Sequence, residues 1–318
     1  MKNVKTIIAL SIFFILGPTL AVVLKSAFLL SLLVQATIAA ILATSVGFLI
    51  RQNGTVSFGH AAFFGIAAYA MVASLPSSWA PAELIIVGAI LATGALGFLI
   101  AVAIRNVHGI AFGMLTLAFG QGVYEASTRM RSITGGHDGA SLRRKLPEAL
   151  FGIPLEVLAS PKGMLVVAWL ALATVIALLL LFSRSSFGVL TEAIRDNEER
   201  VRFLGYRTLL PKAVVFAISA MIAALSGTLF TIYNSFISPD SLHWSASGTA
   251  LIMTIIGGSG AVWGPTLGAF AYFFLKEVVG HYTYHWLAIV GIAMICVSVF
   301  FPEGLAGVIK RRTPRKGG

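Results

Sequence analysis

The sequence predicts an all-α fold: a polytopic membrane bundle of eight to ten transmembrane helices, with one short cytoplasmic helix standing between two spans. Three observations carry that prediction. Hydrophobic residues make up 58% of the 318-residue chain and charged residues 11%, at a mean hydropathy of +0.91. Apolar segments follow one another along nearly the whole length. Basic residues fall between those segments in a one-sided pattern.

An average soluble domain carries roughly 25% charged residues. A water-soluble fold of this size must cover its surface with polar side chains, and so few charges do not suffice. That excludes a soluble enzyme, a nucleic-acid-binding domain and a disordered chain. The net charge of +11 is an orientation signal, because Lys and Arg collect in cytoplasmic loops. A nucleic-acid surface would need a basic domain outside the bilayer. Cys296 is the single cysteine, which excludes an internal disulfide or a Cys-ligated metal site.

Spans are read in chain order at 6–24, 26–50, 60–75, 84–104, 110–126, 163–182, 212–236, 246–262, 265–279 and 285–301, against ~20 apolar residues per crossing. The runs 60–75, 110–126 and 265–279 are short and marked by Gly or Pro, as broken or re-entrant helices are. Lys2 and Lys5 resemble the start of a signal peptide, but no small-x-small cleavage site follows, so the first run is expected to stay as a helix.

With a cytoplasmic N-terminus, ten crossings place Arg51, Arg105, the stretch 183–212 and the tail residues Lys310, Arg311, Arg312, Arg315 and Lys316 on one side. The 76–83 and 237–247 loops hold no Lys or Arg and fall on the other. The long loop 127–162 falls there too, against the rule. It carries Arg129, Arg131, Arg143, Arg144, Lys145 and Lys162, offset by Asp138, Glu148 and Glu156. Residues 1–318 thus read as one transmembrane domain with a connector at 183–212, a long loop at 127–162 and a basic cytoplasmic tail at 310–318.

Catalytic signatures are missing. No G-x-x-x-x-G-K-[ST] loop occurs to cradle ATP phosphates; Gly257-Gly258-Ser259-Gly260 lacks the lysine, and Ala261 breaks a G-x-S-x-G nucleophile elbow. Glu277, His281 and His285 are spaced to share a helix face as metal ligands, or to form an interfacial belt with Tyr282, Tyr284 and Trp286. The belt is the simpler reading. No pair of carboxylates lies within an apolar run, and neither catalytic, cofactor nor metal residues are assigned.

The stretch 183–212 is the most informative. Ten of the chain's charged residues lie in it. Leu190, Ile194, Val201 and Leu204 follow helical spacing, while Arg195 with Glu199, Asp196 with Arg200 and Glu198 with Arg202 stand as opposite charges at i, i+4. Gly205 ends such a helix and Pro211 begins the next element. A short amphipathic helix around 190–204 follows, either a solvated connector or a docking surface for a soluble partner.

E-A-I-R-D-N-E-E-R-V-R-F-L-G at 192–205, followed by P-K-A-V-V-F-A-I-S-A at 211–220, closely resembles the cytoplasmic loop of branched-chain amino acid ABC permeases of the LivM type. Further motifs are similar and in the expected order: N-G-T-V-S-F-G-H-A-A-F-F-G-I-A-A-Y at 53–69, R-S-I-T-G-G-H-D-G at 131–139, I-S-P-D at 237–240, I-I-G-G-S-G-A-V-W-G-P-T-L-G-A at 255–269 and F-P-E-G-L at 301–305. The likeness covers residues 45–309, with mild departures at Val201 and Ala224.

That resemblance implies a multi-pass permease of the inner membrane, one subunit of an importer for branched-chain or related small amino acids. Two cytoplasmic ATPase subunits would use the ATP, a second related permease would complete the pore, and a soluble binding protein would deliver the solute. The helix around 190–204 then becomes the coupling helix, with Glu192, Ala193, Ile194, Arg195, Glu198 and Gly205 as its contact residues. Read from residues alone, a stand-alone secondary transporter or channel for small amphipathic solutes such as amides or urea stays open. The scarcity of mid-span carboxylates disfavours its proton-coupled form.

Candidates for the translocation path are Ser57, Gly59 and His60, where a polar loop enters an apolar run, Gln121 within a span, and Gly257, Gly258 and Gly260. Gln35, Ser219, Ser226, Thr231 and Asn234 are further polar groups within spans that need partners or water. Gly260, Gly264 and Gly268 recur every four residues, as helix-packing glycines do. The same cluster, with Pro265, also reads as a discontinuous transporter helix.

Overall fold

The structure, a computed structural model, describes residues 2–75, 80–142, 148–283, 285–300 and 303–311. Arg143, Arg144 and Lys145 of the long loop, Phe301 and Pro302, Tyr284, and Arg312, Arg315 and Lys316 of the tail lie outside the described residues. The chain is helical almost throughout. Its helices are α1 (Lys2–Val23), α2 (Ala27–Asn53), α3 (His60–Ser74), α4 (Ala82–Ala103), α5 (Ile110–Arg129), α6 (Arg131–Thr134), α7 (Leu155–Ala159), α8 (Pro161–Arg184), α9 (Ser186–Asp196), α10 (Glu198–Phe203), α11 (Leu209–Asn234), α12 (Trp244–Gly257), α13 (Gly264–Tyr282), α14 (Trp286–Phe300) and α15 (Gly304–Arg311).

Each predicted apolar run holds one helix, α1 to α5, α8 and α11 to α14. Among the described residues, α2, α4, α8 and α11 are long and apolar enough to cross a membrane on their own, and shorter apolar helices run over Ser11–Val23, His60–Ser74 and Trp244–Gly257. Local chemistry sets their ends. Ser26 caps α2 by accepting from the Leu29 amide, and Gly54 closes it in the left-handed conformation at φ 68°. Ser160 caps α8 with Pro161 in its first turn.

The connector departs from the single helix expected over 190–204. It is two helices, α9 and α10, broken at Asn197. The Asn197 carboxamide accepts from the Arg200 amide at 2.8 Å, so this residue starts a new helix and does not continue the old one.

Helix α2 lies at the centre, packed by α8, α11, α12 and α13. With little water to serve them, side-chain hydroxyls tie neighbouring helices through backbone carbonyls. Ser226 of α11 donates to Ile38, Ser219 to Ser45, and Thr254 of α12 to Ala43. Helix α1 is held to α8 by Trp169 Nε1 donating to the Phe13 carbonyl at 2.7 Å.

The two ends of the bundle differ. One gathers Arg51, α9, α10 and Lys212. The other carries the long loop, whose short strand Ala140–Ser141 pairs antiparallel with Phe236–Ile237 beyond the end of α11. Within that loop, Phe151 donates its amide to Glu83 at the start of α4, beside a second ladder of Ala149–Leu150 with Ile153–Pro154. The loop 127–162 and the stretch 183–212 thus occupy opposite ends.

Helix α3 begins deep inside. After α2 ends, residues 54–59 run into the bundle without helix, and His60 meets Ser219, which stands ~15 Å along α11 from Leu209 at ~1.5 Å per residue. The short 60–75 run is therefore a helix that starts at mid-depth.

Candidate functional site

Three groups of residues fall where the sequence placed its candidates, and each does something different. The first is the basic end. Helix α9 turns Gly188, Thr191 and Ile194 into the bundle. Thr191 donates its hydroxyl to the Gln52 carboxamide oxygen at 2.6 Å, and Gln52 donates to Ser183 at 3.2 Å. Glu192 accepts from Arg51 Nη2 at 3.1 Å, while Nη1 of the same arginine donates to the Gly260 carbonyl at 2.7 Å. Arg195 donates through Nη1 to the Arg51 carbonyl and folds its other nitrogens onto Asp196. Arg195 also explains Gly54: a Cβ there would stand 2.8 Å from the arginine's Cγ.

Glu198 opens α10 and collects cations. Its carboxylate is paired with Lys212 and with Arg202 at 2.7 Å, stands 3.6 Å from His108 Nε2, and accepts from Thr208. Burial works to raise its pKa, but the hydrogen bonds from Lys212 and Thr208 and the charges of Lys212 and Arg202 outweigh that and hold it down at about 2. Of the three pairs expected at i, i+4, Glu198 with Arg202 forms; Arg195 turns instead to its neighbour Asp196, because the break at Asn197 takes Glu199 and Arg200 off its face. Gly205, at φ 87°, turns the chain after α10.

The outward face is apolar. Ala193 is exposed and joins Val189, Leu190, Val201, Leu204 and Tyr206 around an open groove. Leu204 is 72% exposed and neighbouring Phe203 91%. These side chains form a contiguous exposed apolar patch on the charged end of the protein. The sequence pointed to Glu192, Ala193, Ile194 and Arg195 together; the structure divides them. Glu192, Ile194 and Arg195 hold the helix down, and Ala193 faces out. Phe203 and Tyr206 lie outside the Leu190, Ile194, Val201 and Leu204 spacing from which the amphipathic face is read.

The second group surrounds the start of α3. His60 is fully buried. Its Nε2 lies 2.7 Å from the Ser219 hydroxyl and its Nδ1 3.1 Å from that of Ser57. Ser219 gives its own proton to the Ser45 carbonyl, which leaves its oxygen to accept from Nε2–H; Ser57 then donates to Nδ1 and accepts from the Gly59 amide. The polar side-chain atoms of His60, Ser57 and Ser219 are thus all hydrogen-bonded. Gly59 is needed because a Cβ would stand 2.7 Å from the Thr116 carbonyl oxygen. Gln121, on α5, is not drawn into this network; its carboxamide oxygen is buried with no partner among the described residues.

The third group is a backbone crossing. A Cβ on Gly257 would overlap the Gly264 carbonyl, one on Gly264 the Gly258 carbonyl, one on Gly268 the Met253 carbonyl and one on Gly258 the Glu303 carbonyl. These glycines let α12, α13 and α15 touch main chain to main chain. Gly260 is the exception, with nothing within 4 Å of its added Cβ; its part is the carbonyl that Arg51 holds. Glu277, His281 and His285 form no metal cluster among the described residues.

Residues 28–298 match the family model of the branched-chain amino acid transport system permease component. The chain is similar to the high-affinity branched-chain amino acid transport system permease protein LivM of Salmonella typhimurium strain LT2, 25% identical over 303 residues that cover 87% of this chain and 70% of that protein. LivM of Escherichia coli K12 is 26% identical over 301 residues, with the same shares of 87% and 70%. The autoinducer 2 import system permease protein LsrC of Escherichia coli O9:H4 is 31% identical over 136 residues, 40% of this chain and 39% of its own. No solved structure matches.

Proposed function

The chain belongs to the branched-chain amino acid transport permease family, and from that premise we propose that it is the membrane subunit of an ABC importer in the inner membrane. Its cargo is branched-chain or related small amino acids, and the energy comes from ATP hydrolysed on partner subunits. The observation that carries this reading is the division of labour in α9 and α10. One face is latched to the end of α2 by Thr191, Glu192 and Arg195, and the other is an exposed apolar groove around Ala193. A surface fixed rigidly to the core and left uncovered outside is what transmits a push from a docked ATPase.

In this reading the basic end is cytoplasmic, which agrees with Arg51, Arg105 and the charges of 183–212 collecting there. Ten helices cross or partly cross the membrane, and the tail 310–318 follows the last one into the cytoplasm. The end bearing the 127–162 loop faces a soluble binding protein. Two ATPase subunits and a second related permease complete the assembly. Ser57, Gly59, His60 and Gln121 stand at mid-depth beside the route, His60 as the fixed post of the seam.

Affinity purification of the tagged chain in mild detergent tests the proposal. The expected result is recovery of a protein carrying a Walker-type ATPase, with a second permease, in stoichiometric yield. Recovery of the chain alone from membranes that also contain such ATPases would overturn it.

A further inference from the structure

At the basic end of the bundle a pocket of about 110 Å³ lies between the segment that follows α2, the turn joining α4 to α5, α10 and the start of α11. Glu198, Arg202 and Lys212 line it together with the turn residues Arg105 and His108. Three fixed cations thus line the pocket with one carboxylate, and that carboxylate is already engaged by Lys212 and Arg202. Arg105 is exposed and forms no ion pair among the described residues. Its charge is the surplus of the cluster.

Two polar atoms in the lining add a second demand. Asn53 donates its amide nitrogen to the Lys212 carbonyl at 3.0 Å. Its Oδ1, like the Oγ1 of Thr55, is buried with no partner among the described residues. Both residues line the pocket. A buried carboxamide oxygen calls for a donor, and a hydroxyl serves as donor or acceptor.

The rest of the wall is apolar, with Ile104, Phe112 and Phe216. Leu99, Ile110 and Met114, on the ends of α4 and α5 that meet here, are exposed. In a membrane bundle such side chains belong against acyl chains, so the pocket sits where hydrocarbon gives way to headgroups.

We infer that this pocket binds a glycerophosphodiester, with its phosphate anion at Arg105. A headgroup hydroxyl donates to Asn53 Oδ1 and accepts from the Thr55 hydroxyl. A phosphatidylglycerol headgroup carries this chemistry, and the exposed apolar ends of α4 and α5 favour it over a soluble diester. Basic pockets between membrane helices recognise anionic headgroups, and a guanidinium matches phosphate oxygens with paired N–H donors. Bound there, the ligand bridges the α4–α5 turn and the end of α2. If Arg105 only set orientation, no dependence on headgroup chemistry would follow.

The test titrates lipids into the purified full chain in a neutral detergent. Dioleoylphosphatidylglycerol raises the Tm saturably, because a ligand of the folded state shifts unfolding by mass action; phosphatidylcholine does not. Phosphatidylmethanol, an anionic phosphodiester without the headgroup hydroxyl, requires about tenfold more for the same shift. Arg105→Gln keeps the lipid-free Tm and raises the phosphatidylglycerol requirement about tenfold or more, while Arg105→Lys retains part of the response. Thr55→Val weakens the response to phosphatidylglycerol and leaves that to phosphatidylmethanol unchanged. The deacylated headgroup, glycerophosphoglycerol, separates the two sources: no shift at matched concentration is expected, and an equal shift keeps the chemistry and makes the ligand the soluble diester. No saturable rise with phosphatidylglycerol, an Arg105→Gln response within about twofold of wild type, or equal responses to phosphatidylglycerol and phosphatidylmethanol would overturn the inference.

Discussion

Arg195 donates its guanidinium to the main-chain carbonyl of Arg51, and the Arg51 side chain bonds Glu192 one turn back on the same helix. Two arginines thus clasp α9 to the last turn of α2 from opposite directions. Because α2 is the helix around which the others pack, any displacement of α9 is delivered to the middle of the bundle.

Arg51→Ala removes the two bonds made by the Arg51 side chain and leaves the Glu192 carboxylate and the Gly260 carbonyl without their donor, while the main-chain carbonyl held by Arg195 stays. We expect destabilisation of about 1–3 kcal/mol, read as a lower Tm of the purified protein in detergent. Arg51→Lys recovers part of it, since one ammonium cannot span both acceptors in the way a guanidinium fork does.

Ala193→Arg puts a long charged side chain into the exposed groove while leaving the latch intact. Membrane insertion and Tm stay at the wild-type level, and co-purification of the ATPase and solute uptake both fall at least about tenfold, as for a central interface residue. Unchanged uptake would remove α9 from the docking surface.

Acidification addresses Glu198. Its pKa is held below the ordinary value of 4.5, at about 2, so its ionised form stabilises the fold at every pH above about 4.5 and that stabilisation is lost as pH falls toward 2. The Tm difference between wild type and Glu198→Gln is therefore constant from neutral pH down to about 4.5 and closes below it.

The glycines of the crossing are not equivalent. Gly264→Ala and Gly268→Ala press a methyl into main-chain carbonyls that have no freedom to move, at a cost of about 1–3 kcal/mol or more, seen as loss of monodisperse protein after extraction. Gly260→Ala meets open space and leaves both yield and Tm within measurement scatter.

Ser219→Ala isolates His60. It strips the partner from Nε2 and the donor from the Ser45 carbonyl, and destabilisation of about 1–3 kcal/mol is expected. Ser219→Thr, which keeps the hydroxyl, recovers most of the Tm.

The helices were legible because an apolar run bounded by Gly, Pro or charge has to satisfy its backbone within itself, and each of the ten runs does so as one helix. The break at Asn197 was legible in principle. Asn followed by Glu198 and Glu199 is a helix start, with a capping side chain and acids in the first turn, but it stands inside a run of helical charge pairs that reads equally well as uninterrupted. The bonds of Arg51 to Gly260 and Glu192, of Gln52 to Ser183 and of His60 to Ser219 span 131 to 209 residues of chain, and no local periodicity encodes such distances. The glycines were visible as a pattern, while the difference between Gly260 and its neighbours depends on which backbone crosses which.

The most direct test of the account is ATP-driven transport by the purified assembly. Reconstituted in proteoliposomes with the ATPases, second permease and binding protein that co-purify with it, the chain is predicted to support L-leucine accumulation that requires ATP and the binding protein and is abolished by Ala193→Arg. Uptake at the same rate by the chain alone, without ATP, would contradict it.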